Sequence, residues 1–314
     1  MIVTVTPNTV LDYTLLVPRF ELNRTIRASA HAWGMGGKAN DAAWILGRLG
    51  VPVLALGFAA GSLGERMEGM LQERGVITDF VQAGGETRLS LVIVTEDGAG
   101  QSTLSSSSLH VTPDQLAEFE APYNQALEKA TCLVIGGSLP EGVPPEFFKQ
   151  AITLARLRGI PVIFDSSGPA LLAGLQGKPS LVKPNQDELA GLLGFLPKTT
   201  DEFIAAARCL QQDHGTNAIF TLGREGALAV LGEKCYRILP LPVPVLSTAG
   251  AGDGVLAGMA LAYARGEPPE NGLRYGFALA GAILRTLGTA DFEVEEYRRL
   301  LPEITLIPLD DKTS

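Results

Sequence analysis

Short apolar runs alternate with segments of helical period along most of the chain. Runs at Ile2–Val5, Val53–Phe58, Cys132–Ile135, Pro161–Asp165, Leu181–Lys183, Ala218–Leu222 and Ala227–Leu231 are rich in Val, Ile and Leu and do not alternate, as expected of strands buried on both faces. Between them the pattern predicts helices over Asp41–Leu49, Leu63–Arg74, Pro113–Lys129, Pro145–Arg158, Thr200–Asp213, Asp253–Arg265 and Asn271–Leu287. Such alternation builds an α/β three-layer sandwich, a mainly parallel central sheet with helices on both faces. Two segments break the rhythm. Asp12–His31 lacks a helical period, and Thr87–Thr95 leads through the hairpin-turn signal Glu96-Asp97-Gly98 into Gln101–Ser107. Inserted antiparallel pieces commonly form a flap over a site, so residues 12–31 and 87–107 are read as one small β-sheet lid. Length alone allows two domains or one large one. Because both lid segments lie in the N-terminal part, the expectation is a single domain over residues 1–314.

Composition narrows the function. A net charge of −9 argues against a general nucleic-acid binder but leaves room for a small anionic substrate, since a few local cations suffice. Cys132, Cys209 and Cys235 are odd in number and far apart, which suits a reducing cytoplasm rather than a disulfide framework or a thiolate zinc site. The N-terminus lacks a basic leader pattern, and no apolar run of about 18 residues escapes breakers, so the expectation is a soluble cytoplasmic protein with no membrane partner. His31, His110 and His214 form no metal-binding spacing.

Candidate chemistry sits in the loops. Gly250-Ala251-Gly252-Asp253 opens a helix that is apolar on nearly every face, so its N-terminus should face a cavity and bind an anion. Asp253, in the first turn, is placed to act as general base for an attacking hydroxyl. Gly34-Met35-Gly36-Gly37-Lys38-Ala39 also opens a helix and suits a phosphate or a sugar hydroxyl. It lacks the early glycine of a P-loop. It matches a loose dinucleotide fingerprint, but Val53–Ala60, where the acidic ribose ligand would fall, has no carboxylate. After a strand, Lys183-Pro184-Asn185 with Glu188 offers an amide and a carboxylate on one side of a first helical turn, a donor set suited to Mg²⁺. Thr221-Leu222-Gly223-Arg224-Glu225-Gly226 is a tight turn that could line a nucleotide. The loops Gly137-Ser138-Leu139-Pro140 and Asp165-Ser166-Ser167-Gly168 both follow strands, where ligands of parallel sheets converge.

Taken in this order, these loops resemble the ribokinase-like, or phosphofructokinase B, sugar kinases over essentially the whole chain. The resemblance rests most firmly on Thr248 with Gly250–Asp253. It implies Asp253 as catalytic base, with the backbone of Ala251, Gly252 and Asp253 as anion hole and Gly250 as part of the same catalytic loop. It further implies ATP and Mg²⁺ as cofactors: Lys183, Asn185, Thr221, Gly223 and Gly226 on the nucleotide side, and Asn185 and Glu188 holding the metal through water. Thr6-Pro7-Asn8 with Asp12, Thr87-Arg88, Gly137-Ser138-Leu139-Pro140 and Asp165-Ser166-Ser167-Gly168 are similar to the branch that includes 1-phosphofructokinase and tagatose-6-phosphate kinase. That branch implies Asp12, Gly36, Gly37, Lys38, Asp41, Arg88 and Ser138 as substrate residues, with Lys38 and Arg88 gripping a substrate phosphate. Several positions depart from it. Asp41 stands where the branch has asparagine, Ala39 where it has glycine, Thr9 where it has proline and Gly254 where it has serine.

The expectation is therefore an ATP-dependent kinase of a sugar-phosphate hydroxyl, of the fructose 1-phosphate or tagatose 6-phosphate type, with a homodimer formed through the lid. Rival readings are a kinase of an unphosphorylated sugar or nucleoside, encouraged by Asp41, and a non-catalytic ligand sensor on the same scaffold. A dinucleotide oxidoreductase ranks behind both.

Overall fold

The apolar runs become strands where the pattern places them. In chain order the strands are β1 (Ile2–Thr6), β2 (Val10–Val17), β3 (Ala30–Gly36), β4 (Val53–Ala59), β5 (Ile77–Gln82), β6 (Arg88–Thr95), β7 (Gln101–Ser105), β8 (Cys132–Gly136), β9 (Val162–Asp165), β10 (Leu181–Val182), β11 (Asn217–Thr221), β12 (Ala227–Leu231), β13 (Lys234–Ile238) and β14 (Leu306–Leu309). The helices are α1 (Lys38–Arg48), α2 (Gly61–Glu73), α3 (Pro113–Glu118), α4 (Glu120–Leu127), α5 (Glu146–Leu157), α6 (Gly168–Leu175), α7 (Gln186–Leu193), α8 (Thr200–His214), α9 (Ala251–Arg265), α10 (Pro269–Ile283) and α11 (Val294–Leu300). This computed structural model describes residues 1–309; positions 310–314 of the expected domain lie outside the described residues.

The large sheet has ten strands in the order β14-β13-β12-β11-β10-β9-β8-β1-β4-β5. From β11 to β5 every neighbouring pair is parallel, while β11–β12, β12–β13 and β13–β14 are antiparallel. Ile2 and Val3 enter different apolar clusters, one on each face, which explains why the strands read as continuous apolar runs. Chain direction splits at β1: the chain continues to β4 and β5 on one side and returns to β8 on the other. A ligand crevice forms outside such a switch point.

Four strands form a second sheet in the order β3-β2-β6-β7. The lid was expected to be antiparallel, yet β2 and β6 are parallel, with Val10 opposite Arg88 and Asp12 opposite Ser90. Each of these strands follows a parallel strand of the large sheet, β1 and β5 respectively, and so rises from the same edge in the same direction. The expected glycine loop before Asp41 is also shorter than its sequence suggests. Gly34, Met35 and Gly36 complete β3 by pairing with β2, and α1 starts directly at Lys38. The helix expected over Pro113–Lys129 is two helices, α3 and α4, meeting at Phe119. That ring turns inward against Phe58, Tyr123 and Phe147, and the chain bends around it. The pattern did not anticipate β5, β13, β14, α6 or α11. These elements are short, and several are half exposed, so their period is weak.

Candidate active site

The carboxyl ends of the parallel strands carry polar residues that an apolar sheet interior could not accommodate. Asn8 follows β1 and Ser138 follows β8, so both flank the switch point. Asn8 Nδ2 donates to Ser138 Oγ at 3.0 Å, and Asn8 Oδ1 accepts from Ser108 Oγ at 2.8 Å. Asp165 is the last residue of β9 and Lys183 the first after β10. Both are buried, and Lys183 Nζ lies 2.9 Å from Asp165 Oδ2. Lys38, the first residue of α1, places its Nζ 2.6 Å from Asp165 Oδ1 and 2.7 Å from Glu188 Oε1. Burial alone would push Asp165 up, but the Lys183 and Lys38 charges outweigh it and hold its carboxyl below the usual range. Lys38 shows the converse: burial works against its charge, yet Asp165 and Glu188 raise its pKa. Lys38 thus bridges two carboxylates on the side of Asn185 and Glu188.

α9 begins beside this cluster. Gly250 is its cap, with a left-handed φ of 80°, and a Cβ there would lie 2.4 Å from the backbone nitrogen of Ala290. Only glycine meets both demands. Of the three backbone N–H groups expected to bind an anion, Ala251 donates to Thr248 O at 3.4 Å and Asp253 to Gly250 O at 3.0 Å. Gly252 N–H has no acceptor among the described residues. The Lys183 ammonium stands 3.2 Å from the position a Cβ on Gly252 would occupy. An open N–H at a helix N-terminus beside a lysine ammonium is a site for a phosphoryl oxygen.

Asp253 shares this corner with two more carboxyl groups. Burial pushes Asp253 up to about 6, against the opposing charges of Lys183 and Lys38. Burial pushes Asp12, on β2, up to about 7; the Asp253 charge adds to the rise, while Thr289 and Arg88 oppose it. Asp41, in the first turn of α1, is raised well above the carboxylate range by burial, by the charges of Asp253 and Asp12, and by a hydrogen bond to Asp253. Asn40 beside it turns away, its Nδ2 contacting Met67 Sδ at 3.2 Å. Gly36 makes room for Asp12, since a Cβ there would lie 2.5 Å from Asp12 Oδ1. Gly37 caps α1. Arg88 starts β6, with Asp12 as its opposing charge, and its buried Nε has no partner among the described residues. The preceding Thr87 is structural: its Oγ1 accepts from Ala60 N–H at 3.0 Å and contacts Thr9 Oγ1 at 3.2 Å.

Asn185 and Glu188 cap α7 reciprocally. Asn185 N–H donates to Glu188 Oε2, and Glu188 N–H to Asn185 Oδ1, both at 2.9 Å. Asn185 is bridged to Thr221, whose N–H reaches Pro184 O at 3.3 Å, so this cap adjoins the turn containing Gly223 and Gly226. A divalent ion fits here in one way. No group of three or more His, Cys, Asp or Glu residues able to hold a metal occurs among the described residues, and both Glu188 oxygens already have partners. Each carboxylate oxygen keeps a second lone pair, which suits Mg²⁺ held through water and nucleotide phosphates rather than in a protein cage.

Three contributors carried little or no sequence signal. Asp165 ends an apolar run in an Asp-Ser-Ser-Gly loop, and nothing local marks it as the hub of two lysines. Ser108 belongs to a serine tract. Gln101, from β7, accepts through Oε1 from Thr248 N–H at 2.9 Å and faces Ser247 Oγ at 3.3 Å, joining the lid to the loop before α9.

A carboxylate at a cation-flanked helix N-terminus, on the crevice edge of a parallel sheet, is a phosphotransferase arrangement, and comparison with known proteins agrees. The profile of the pfkB family carbohydrate kinases matches residues 4–296. A 1-phosphofructokinase of Vibrio cholerae is 30% identical over 308 residues, 98% of this chain and 97% of that protein. The ATP-dependent 6-phosphofructokinase isozyme 2 of Escherichia coli is 33% identical over 281 residues, 89% of this chain and 91% of that protein. The crystal structure of a possible 1-phosphofructokinase from Thermotoga maritima superposes with a TM-score of 0.89 at 26% identity, covering 98% of this chain and 99% of the other. The chain belongs to the pfkB family of carbohydrate kinases. It is an ATP-dependent carbohydrate kinase with the ribokinase-like fold that its loops pointed to.

Proposed function

We propose that this kinase transfers the γ-phosphoryl group of ATP to a hydroxyl of a sugar phosphate, of the fructose 1-phosphate or tagatose 6-phosphate type. The carrying observation is the convergence of Asp253, the open Gly252 N–H and the Lys183 ammonium at the start of α9. Asp253 takes the proton of the attacking hydroxyl as its oxygen bonds to the γ-phosphorus, and ADP leaves with the β–γ bridging oxygen. Gly252 N–H and Lys183 hold charge that develops on the transferring group, an effect usually central to phosphoryl transfer. Mg²⁺, held by Asn185 and Glu188 through water, would neutralise nucleotide phosphate charge. Arg88, whose Nε has no partner among the described residues, binds the phosphate already on the substrate, while Asp12, Asp41, Gly36, Gly37 and Ser138 line the sugar side. Lys38 reaches that phosphate only by leaving one of its carboxylates. Thr221, Gly223 and Gly226 line the nucleotide.

Residues 12–31 and 87–107 close as a lid on a single domain, excluding water and limiting ATP hydrolysis. Both relatives named above are phosphofructokinases, which supports a sugar-phosphate acceptor. The Asp12–Asp41–Asp253 carboxyl cluster favours a second reading, an unphosphorylated sugar. ADP release measured against paired free and phosphorylated sugars tests both: preference for the phosphorylated partner upholds the proposal, and preference for the free sugar overturns it. Strand β7 is exposed throughout and forms the edge of the lid sheet, which supports a homodimer through the lid. A light-scattering mass of one chain would refute that dimer. No helix among the described residues is long and apolar enough to cross a membrane, in keeping with a cytoplasmic location.

A further inference from the structure

We propose that Gln101 is a positioning residue: from the tip of the lid it holds the loop that leads into α9, and so braces the Gly250–Asp253 turn. Its effect on turnover rests on the phosphoryl-transfer role given to that turn above; the contact itself does not.

The lid sheet is fixed to the body at its root. Thr87, just before β6, is buried and accepts from Ala60 N–H at 3.0 Å, with Thr9 Oγ1 at 3.2 Å. Near the end of β3 the approach is closer still, since a Cβ on Gly34 would lie 2.5 Å from the backbone nitrogen of Thr289. Gln101 lies at the other end. It opens β7 opposite Val94, about 20 Å along β6 from Arg88 at the usual strand rise. The turn before it is pinned: Thr95 Oγ1 accepts from Gly100 N–H at 3.2 Å, and Asp97 Oδ1 accepts from Ala99 N–H at 3.0 Å. The Gln101 side chain therefore leaves the lid from a defined point. Among the described residues, no other side chain of β7 hydrogen-bonds outside the lid.

Its partner is a loop 147 positions away in the chain. Gln101 Oε1 accepts from Thr248 N–H at 2.9 Å and from Ser247 Oγ at 3.3 Å. Ser247 is buried, and its Oγ in turn accepts from Ala249 N–H at 3.2 Å. One amide oxygen thus organises two backbone N–H groups, the first directly and the second through a hydroxyl. By donating to Gln101, the Ser247 hydroxyl turns a lone pair toward Ala249; without that acceptor it is free to rotate.

The body grips the same loop on either side of Thr248. Leu284 O accepts from Leu246 N–H at 2.7 Å, and Ala290 N–H donates to Ala249 O at 3.4 Å. Thr248 itself is held from the lid, and its carbonyl accepts from Ala251 N–H at the start of α9. The path from lid to anion-binding turn therefore runs through a single residue. Both groups that meet Gln101 donate, so the role needs its oxygen and not its NH₂ group.

That requirement sets the test. Gln101 is exposed, so replacing it leaves the core untouched. Gln101→Met keeps the reach and loses the acceptor, while Gln101→Glu keeps both. In amide hydrogen exchange of the full-length, ligand-free protein, Thr248 and Ala249 should exchange about 2- to 10-fold faster in Gln101→Met, the worth of one hydrogen bond. In Gln101→Glu they should exchange as in wild type. Unchanged exchange in Gln101→Met overturns the contact, and equally fast exchange in both variants overturns the role of the oxygen. In turnover, kcat should fall about 3- to 10-fold in Gln101→Met with KM for ATP within about twofold of wild type, and recover in Gln101→Glu. An unchanged kcat, or a loss confined to KM for ATP, overturns positioning. If Asp253→Asn keeps its turnover while the exchange difference stands, the reading of the turn fails and the contact survives. If Asp253→Asn is inactive and exchange is unchanged in Gln101→Met, the proposal fails and that reading survives.

Discussion

The stability of the ligand-free protein should fall as pH rises from 5 to 7, opposite to what a protein held together by ionised carboxylates would show. Asp12 is 8% exposed, and burial lifts its carboxyl from 3.8 to about 7. Across that window the folded chain holds a proton that the unfolded chain has already lost, so unfolding releases protons and raising the pH favours it. Each such proton is worth about 1.4 kcal/mol per pH unit, so Asp12 alone contributes a loss of about 2 kcal/mol between pH 5 and 7. Asp253, pushed up to about 6 mainly by burial, pulls the same way. Asp165 and Glu270, whose carboxyls are lowered, act in the other direction only at more acid pH, as their unfolded-state counterparts titrate. The total is a loss of about 2–4 kcal/mol, or a melting temperature lower by roughly 3–6 °C at pH 7 than at pH 5 for a chain of this size. Thermal melts of wild type and Asp12→Asn over this range test the reasoning. The variant should show the shallower slope. A wild-type melting temperature that holds level or rises from pH 5 to 7, or equal slopes for the two proteins, would refute it.

Four further outcomes follow from the site. Asp253→Asn should still bind ATP by calorimetry while losing at least about 10²-fold in kcat, the usual worth of a general base; near-normal turnover would remove Asp253 from that role. Arg88→Ala should raise KM for a phosphorylated sugar far more than for its free counterpart, and equal effects would argue that Arg88 does not read the phosphate. Gly250→Ala should lower stability by at least about 1–2 kcal/mol, because the left-handed cap and the Ala290 backbone both resist a side chain. Gly252→Ala meets only the end of Lys183, so it should fold normally and lose turnover, as melting curves and kcat together would reveal.

Much of the scaffold could be read from the chain because a strand buried on both faces leaves an uninterrupted apolar run. β1, β4, β8 and β12 begin where the runs at Ile2, Val53, Cys132 and Ala227 begin. Glycines that need unusual backbone, such as Gly250, were equally visible. What the chain concealed depends on long-range geometry. Asp165 gains its meaning from Lys38, 127 residues away, and from Lys183 just after the next strand. Glu188 looked like a metal-side carboxylate, and the fold also gives it a capping role and a lysine partner. The parallel pairing of β2 with β6 depends on the shared edge from which both strands rise, which no local period encodes.

That pairing also determines what moves with what. β2 and β6 are locked in register from Val10 opposite Arg88 to Val17 opposite Thr95, so Asp12 and Arg88 travel together on one plate. Asp253, Lys183 and Asp165 belong to the large sheet and the helix lying on it. On the roles proposed above, any hinging of the plate carries the two sugar-side groups as a unit toward the base. The substrate would then be delivered to the chemistry with the distance between its phosphate grip and its hydroxyl grip held constant throughout the stroke.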